Sequence, residues 1–165
     1  MRMIENVCQI LRDFDLSPEI VDDAIQVRYE MKHIIIRLED KEETDDENAF
    51  DKYVNVAFPA FYRVSDEDVA DVLVVCNKAN RELRQIKTFL SEDMDVVSSS
   101  FEFWYLNNDD LRNSLKFALY MISHVRSWFV RELRNIKTES QPIPEADEFE
   151  AIAQVIIVQV PKFKR

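Results

Sequence analysis

The chain of 165 residues contains no glycine, and this absence constrains its turns and its chemistry more than any other feature. Glycine adopts positive φ without steric cost and lets a backbone approach a phosphate closely. Without it, a Walker loop, a dinucleotide fingerprint, a kinase-type loop and a nucleophile elbow are all excluded. We therefore expect no ATP, GTP or NAD enzyme of the usual kinds, and no cofactor.

The length and the composition indicate one globular domain. Hydrophobic residues make up 47% of the chain, which is too many for a disordered acidic protein. No apolar run approaches the roughly 20 residues that a membrane span requires. Glu5, Arg12 and Asp13 interrupt the apolar start, which is not typical of a secretion signal. We expect a cytoplasmic protein that does not enter a membrane.

The net charge of −11 is unevenly distributed along the chain. Residues 1–75 hold 19 acidic and 8 basic residues, whereas residues 76–137 hold 8 acidic and 10 basic residues. An acidic surface repels a phosphate backbone, so we expect no nucleic-acid partner. Seven of the nine residues in 39–47 are acidic. We expect the stretch Glu39–Asn48 to be a solvated, mobile loop without a tightly bound ion, because it lacks the spacing and the glycine of an EF-hand.

The first part of the chain predicts one helix followed by three strands. Apolar residues recur at helical spacing over Arg2–Phe14, and Ser17-Pro18 is typical of the start of a short helical turn. From Ala24 apolar and polar residues alternate, as in strands. The tight turn around Met31-Lys32 lacks the usual Asn-Gly pair, and Pro59 indicates a sheet edge or a bulge. The strands are AIQVRY, HIIIRLED with Ile34, Ile36 and Leu38 facing inward, and DKYVNVAFPAFYRV.

The middle of the chain predicts a helix, two strands and a long helix. Ser65 can cap the second helix, with Asp68 at the capping-box position. We expect one of Asn77 and Asn80 to face solvent and the other to bind backbone, rather than a ligand site. The third helix runs from near Asn108 to about Ile136. The second helix has the predicted inward face Val69, Val72, Leu73, Cys76, Asn80 and Leu83, and the strands are RQIKTFL and DVVSSSFEFWYL.

These elements predict an α+β fold, in which helices flank a small antiparallel sheet. The order is helix, three strands, helix, two strands and long helix, with short connections. We expect residues 1–137 to form the domain. Residues 138–165 would then be a linker, TESQPIPEAD, and a C-terminal docking segment. That segment has both helical and strand features, and we favour a helix.

The third helix carries more apolar surface than one contact needs. In FALYMISHVRSW, one stripe consists of Leu119, Ile122 and Val125. The sheet, the C-terminal segment from Phe149 or a second copy of the chain could cover the other stripe. We favour the C-terminal segment and also expect a homodimer, and we interpret the histidine as packed rather than as a pH switch. The candidate residues for partner binding or tail docking are Phe117, Met121, His124 and Trp128.

Reactive side chains form no recognisable catalytic or metal-binding pattern. Cys8 and Cys76 lie on apolar helical stripes and are expected to be reduced core residues, although a disulfide or a thiol nucleophile would also fit. His33 and His124 lack metal-site spacing. The serines of 98–100 have no identifiable activating base. We predict no catalytic residue, no metal ligand and no enzyme activity.

The order of elements resembles that of the YbjN-like bacterial sensory-transduction-regulator family, whose fold is similar to the type III secretion chaperones. The segment VLVVCNKANRELRQIKTFLSEDMDVVSSSFEFWYLNNDDLRNSLKFALYMI carries the resemblance, with Asn77 and Asn80 on the second helix. The chain departs from the family in its glycine-free first hairpin and in the acidic stretch that follows the second strand. The resemblance implies a sheet with helices, no enzyme activity and the binding of protein segments.

Three functions compete at this point. The first is a non-catalytic protein-binding module, a chaperone-like or regulatory adaptor, based on the apolar third helix and the sheet edges. The second is an acidic inhibitor or immunity-like protein that binds a basic partner, based on the charge of residues 1–75. The third is a hydrolase with paired carboxylates, but 32 acidic residues make chance neighbours certain.

Overall fold

The fold is α+β, with one six-stranded antiparallel sheet and three helices, as predicted. The structure is a computed structural model and describes residues 3–40 and 52–139. The strands lie side by side in the order β1-β2-β3-β4-β6-β5. The elements are α1 Met3–Asp13, β1 Glu19–Val21, β2 Ala24–Tyr29, β3 Lys32–Asp40, β4 Lys52–Arg63, α2 Val69–Glu82, β5 Ile86–Leu90, β6 Val96–Trp104 and α3 Asn108–Glu139.

The three helices pack against one face of the sheet, and no described residue forms a second layer on the other face, which we call the open face. Alternate strand residues such as Ile36, Val54 and Phe101 are buried against the helices, because successive side chains of a strand point to opposite faces. Val7 of α1 and Leu115 of α3 join the same core cluster. The alternation in HIIIRLED therefore predicted its inward residues correctly, because Ile34 and Ile36 are buried and Leu38 packs partly buried against the core.

Two hairpins turn without glycine, and the first was missed. Ser17-Pro18 does not start a helical turn, because residues 19–21 pair with β2 as the short edge strand β1. Asp22 and Asp23 connect β1 to β2 with φ of 48° and 60°, and Glu30 and Met31 connect β2 to β3 with φ of 46° and 64°. Positive φ at both positions is typical of the type I′ turn, a common two-residue hairpin loop. Each such residue costs roughly 1–2 kcal/mol, which the strand pairing and the core must offset.

Pro59 marks a bulge and not a sheet edge. β4 lies between β3 and β6, so the predicted alternative of an edge strand is wrong. The register of β4 against β6 shifts between Phe58 and Tyr62. Ala60 has φ of 45°, and its backbone N–H donates to Ser98 Oγ at 2.9 Å. The serine hydroxyl thus replaces the bond that the regular ladder loses at the bulge.

The start and the rotation of α2 differ from the prediction. A 3-10 turn at Asp66–Asp68 precedes the helix, and no side-chain capping bond forms, so the predicted capping box is wrong. Leu73 is exposed, whereas the predicted face placed it in the core. Contacts with β5 and α3 determine which face of α2 is buried. These contacts involve residues outside the helix, so the apolar pattern of the helix alone could not predict them. The buried residues of α2 are Val72, Val75, Cys76 and Ala79.

The acidic stretch Glu39–Asn48 lies mostly outside the described residues. Its first two residues, Glu39 and Asp40, extend β3 and pair in register with Tyr53 and Lys52, so they belong to a strand rather than to a loop. The mobility and ion binding of the remainder stay predictions.

Asn80 closes the outer edge of the sheet at β5. Its Nδ2 donates to the Thr88 carbonyl at 3.0 Å, and its Oδ1 accepts from the Thr88 N–H at 2.6 Å. The side-chain amide thus occupies the position that the peptide group of a further strand would take. Asn77 is exposed, so the expectation that one asparagine faces solvent and the other binds backbone is confirmed.

Replacing Asn80 with alanine should destabilise the fold by about 1–3 kcal/mol, because the two Thr88 groups lose their partners. Urea unfolding measures this loss. Asn77→Ala is the matched control, because Asn77 lies on the same helix and is exposed as Asn80 is, but it does not bind Thr88. It should alter the unfolding free energy by no more than about 0.5 kcal/mol. Equal effects of the two substitutions would contradict the role assigned to Asn80.

Candidate functional site

The buried side of α3 holds this long helix on the sheet. Asn107 caps the helix, because its Oδ1 accepts from the N–H groups of Asp109 and Asp110 at 3.0 Å each. Phe129 packs against the rings of Phe61 and Tyr62, with centroid distances of 5.4 Å in both cases. The helix ends at Glu139 rather than near Ile136. The predicted first stripe is buried, and the buried apolar residues are Leu111, Leu115, Ala118, Leu119, Ile122, Val125, Phe129 and Leu133.

The second predicted stripe is only partly covered by the described residues. Met121 and Trp128 are partly buried and pack against the core. Phe117 is 49% exposed, with one contact of its ring to Phe101 at a centroid distance of 5.7 Å. His124 is exposed. The core therefore covers two of the four residues of this stripe, Met121 and Trp128, in part.

Tyr120 belongs to the same surface, and the sequence reasoning missed it. It is 54% exposed, and its ring packs on His124 with a centroid distance of 4.4 Å. Helical spacing places it next to Phe117 and His124 on one side of α3. We call this set the α3 ridge, and it consists of Phe117, Tyr120, Met121, His124 and Trp128.

Other elements flank the α3 ridge. On one side, Lys78 of α2 donates to Glu132 of α3 at 2.7 Å. On the other side, Glu30 of the β2–β3 turn lies close to Ser123 and His124. The hydrogen bond from Lys32 is the largest of the causes that hold the pKa of Glu30 below its ordinary value. The α3 ridge is thus the part of the helix that faces solvent between α2 and the turn.

His124 has a fixed orientation on the α3 ridge. Its Nδ1 lies 2.7 Å from the Tyr120 carbonyl oxygen, so Nδ1–H is the donor to this acceptor. The Ser123 hydroxyl lies 3.0 Å from the same nitrogen. The expected packed histidine therefore packs on Tyr120 at the surface and not in the core. The proximity of Glu30, distant in sequence, was not foreseen.

The α3 ridge is bordered by positive charge, although the whole chain is acidic. Between residues 111 and 138 the one acidic residue is Glu132, and it is buried. Helical spacing places Lys116 next to Tyr120, Arg131 next to Trp128, and Arg134 one turn beyond Arg131, and all three are exposed. Lys116 and Arg134 have no acidic partner within the described residues. The combination of half-exposed aromatic rings and cations suits an acidic, apolar partner.

Glu132 fixes α3 to α2. Its two carboxylate oxygens accept from Lys78 Nζ at 2.7 Å and from Arg131 Nε at 3.0 Å. The hydrogen bonds from Lys78 and then from Arg131 hold the pKa of Glu132 below its ordinary value. Because Glu132 is buried, removing one partner of this ion pair would leave a buried charge without its partner and destabilise the fold.

The open face of the sheet is a second exposed surface. Tyr53 and Trp104 stack across β4 and β6 with a centroid distance of 4.9 Å, and Trp104 is 48% exposed. Phe89 on β5 is 50% exposed. Lys87 pairs with Glu102 between them. Strand alternation could have predicted these outward residues, but the sequence reasoning followed the inward ones.

A cleft of about 550 Å³ lies beside β1 and β2. Polar residues line most of it, including Asp15, Ser17, Gln26, Arg28 and His33. It brings together no predicted site residue, and its lining mixes acidic and basic groups without a convergent set. Within the ranges 3–40 and 52–139, no group of three histidine, cysteine or acidic side chains is arranged to hold a metal ion.

Both cysteines are buried and reduced, as predicted. Burial raises the pKa of the Cys8 thiol, and it raises the pKa of Cys76 to about 11. A thiolate nucleophile needs a lowered pKa and access to solvent. The environment of these two thiols therefore favours a packing role over the nucleophile alternative.

Comparison with known proteins supports the fold. The chain is similar to YbjN from E. coli, described as a proposed transcription regulator, with a TM-score of 0.54 and 13% sequence identity. The match covers 75% of this chain and 88% of the YbjN chain. The chain therefore has a YbjN-like fold, as the resemblance implied. No protein-family model matches the chain, and no curated protein gives a significant match. None of the described helices is both long and apolar enough to cross a membrane.

The low pKa of Glu132 predicts a specific pH dependence. The stability that its ionised form contributes is present above the ordinary glutamate pKa of about 4.3 and is lost as pH falls through the lower, folded value. Glu132→Gln should therefore be less stable than the wild type at pH 7, and the difference should shrink on acidification below pH ~4. Urea unfolding at several pH values measures it. Glu92→Gln, an exposed change in the β5–β6 turn, is the control, and a pH-independent Glu132→Gln deficit would refute the assignment.

Proposed function

We propose that the protein is a non-catalytic protein-binding module, a chaperone-like or regulatory adaptor, that works in the cytoplasm through the α3 ridge. The observation that carries the proposal is the exposure of Phe117 and Tyr120, at 49% and 54%, on a helix whose apolar stripe on the other side is buried in the core. Large aromatic side chains clustered on one exposed helix side are typical of interaction sites.

The exposed rings of the α3 ridge can contribute favourable free energy to binding. Full burial of a large apolar side chain is worth roughly 1.5–3 kcal/mol, so the exposed halves of Phe117 and Tyr120 together could contribute roughly 1.5–3 kcal/mol. Partly buried Trp128 and Met121 extend the same contact. Tyrosine, tryptophan and arginine are enriched among residues that dominate interface energies, and Arg131 and Arg134 border these rings.

The fold is consistent with this proposal without determining it. YbjN, with the same fold, is described as a proposed transcription regulator, which supports a regulatory role here. The resemblance to secretion chaperones adds the expectation of a homodimer. We propose that a homodimer forms, with the open sheet face around Tyr53 and Trp104 as a second apolar surface available to it.

An acidic inhibitor of a basic partner is the alternative function. It is favoured by the 19 acidic residues among residues 1–75. The α3 ridge opposes it locally, because the cations around it would repel a basic partner. The dependence of binding on salt concentration distinguishes the two functions. Charge-steered binding weakens as ionic strength rises, whereas apolar docking persists.

Affinity capture with surface variants tests the proposal. The wild-type chain is immobilised, and proteins bound from native cytosol are identified by mass at about 0.15 M and 0.5 M salt. We expect Phe117→Ser with Tyr120→Ser to lose the captured proteins, because the exposed aromatic area is removed. Phe89→Ser, which alters an equally exposed phenylalanine on the open sheet face, should retain them.

Two outcomes of the same experiment would contradict the proposal. Capture that survives loss of both aromatic rings shows that the α3 ridge is not the docking surface. Capture that disappears at high salt for the wild type, and is equal for all variants at low salt, favours the acidic inhibitor instead.

A further inference from the structure

We propose that the C-terminal segment 145–160 of this chain returns along α3 and covers the α3 ridge until a protein partner displaces it. The regulatory part of this inference rests on the proposed function, whereas the docking of the segment does not.

The end of α3 places the following chain close to the α3 ridge. Lys137 donates to Asp68 at 2.6 Å, so this end of the helix is fixed beside the start of α2. Five residues, 140–144, separate Glu139 from the segment, and two of them are proline. Antiparallel helices are commonly joined by loops of about 2–5 residues.

The length of the segment matches the length of the surface. The sixteen residues 145–160 would span about 24 Å as a helix, and the distance from Arg134 to Phe117 along α3 is about 26 Å. The five-residue connection can span about 17 Å, which is enough to cross the roughly 10 Å between packed helices and to reach back to Arg134. An antiparallel return of this kind has the beginning of the segment beside Arg134 and its end beside Phe117.

The order of charged and apolar residues in the segment fits the same direction. Four of the six residues 145–150 are acidic, and this part would lie beside Arg131 and Arg134. Residues 151–160 contain no charged residue and are mostly apolar. They would lie beside Trp128 and Phe117, where the exposed rings are.

The covalent link makes even weak docking effective. Exposed ion pairs are individually weak and would not by themselves recruit a separate peptide. A tethered segment, however, has an effective concentration on the order of 1 mM, so an intrinsic Kd of a few tenths of a millimolar keeps most molecules covered. A protein partner with a larger apolar contact would displace the segment by competition, which makes the segment a regulator of the α3 ridge.

Hydroxyl-radical footprinting of the full-length chain tests this cover. Phe117 and Phe89 are the same residue type, and they are 49% and 50% exposed in the described part of the chain. Without a cover they should oxidise at similar rates. With the segment docked, Phe117 should oxidise at least about threefold more slowly than Phe89.

Charge variants test whether the protection of Phe117 depends on the basic residues of α3 and the acidic residues of the segment. Arg134→Glu should raise the Phe117 rate towards that of Phe89, whereas Arg126→Glu, on the opposite side of α3, should not. Neutralising the acidic residues of the segment should have the same effect as Arg134→Glu. The neutralised variant carries Glu145→Gln, Asp147→Asn, Glu148→Gln and Glu150→Gln.

Three results would overturn the inference. They are equal oxidation of Phe117 and Phe89 in the wild type, protection unaffected by the neutralised segment, and protection that appears only as protein concentration rises. The last would identify a second copy as the cover. If Phe117 is protected by the segment but no capture depends on the α3 ridge, the proposed function fails while the docking stands.

Discussion

The packing of one long helix on one sheet face determines the rest of this structure. α3 has 32 residues and is roughly 48 Å long, whereas the nine residues of β6 span roughly 30 Å. Phe129 anchors the helix between Phe61 and Tyr62. The sheet can cover only one stripe of such a helix, so the opposite side is left to solvent or to a partner. The α3 ridge is a consequence of this geometry.

The exposed side of α3 is basic, although the net charge of the whole chain is negative. The chain carries −11, but between residues 111 and 138 its third helix has a single acidic residue, Glu132. That carboxylate is buried against Lys78 and Arg131 and therefore serves the packing of α2 on α3. The exposed side of α3 is left basic. The proposed docking surface is therefore cationic and aromatic, although the chain as a whole is acidic.

The fold could be predicted largely from local patterns, because those patterns reflect which side of an element is buried. Alternation in β3 identified its inward residues, and helical spacing identified Leu119, Ile122 and Val125. The errors arose where distant partners decide the outcome. β1 replaces a helical turn because it pairs with β2, and α2 is rotated by its contacts with Thr88 and α3.

The candidate site was predictable in part for the same reason. Helical spacing revealed the stripe from Phe117 to Trp128, but it could not show that the core shelters Met121 and Trp128. Tyr120 was overlooked because its polar hydroxyl removed it from the apolar pattern. The approach of Glu30 to His124, and of Lys78 to Glu132, joins residues far apart in sequence. Such contacts follow only from the assembled fold.

The central claim is that the two sides of α3 have different roles, one in folding and one in docking. Urea unfolding of Phe129→Ala and Phe117→Ala tests it most directly, because the chemical change is the same at a buried and at a half-exposed position. The account predicts a loss of about 3–5 kcal/mol for Phe129→Ala and at most about 1.5 kcal/mol for Phe117→Ala. Equal losses at the two positions would contradict it, because Phe117 would then be a core residue and not part of a docking surface.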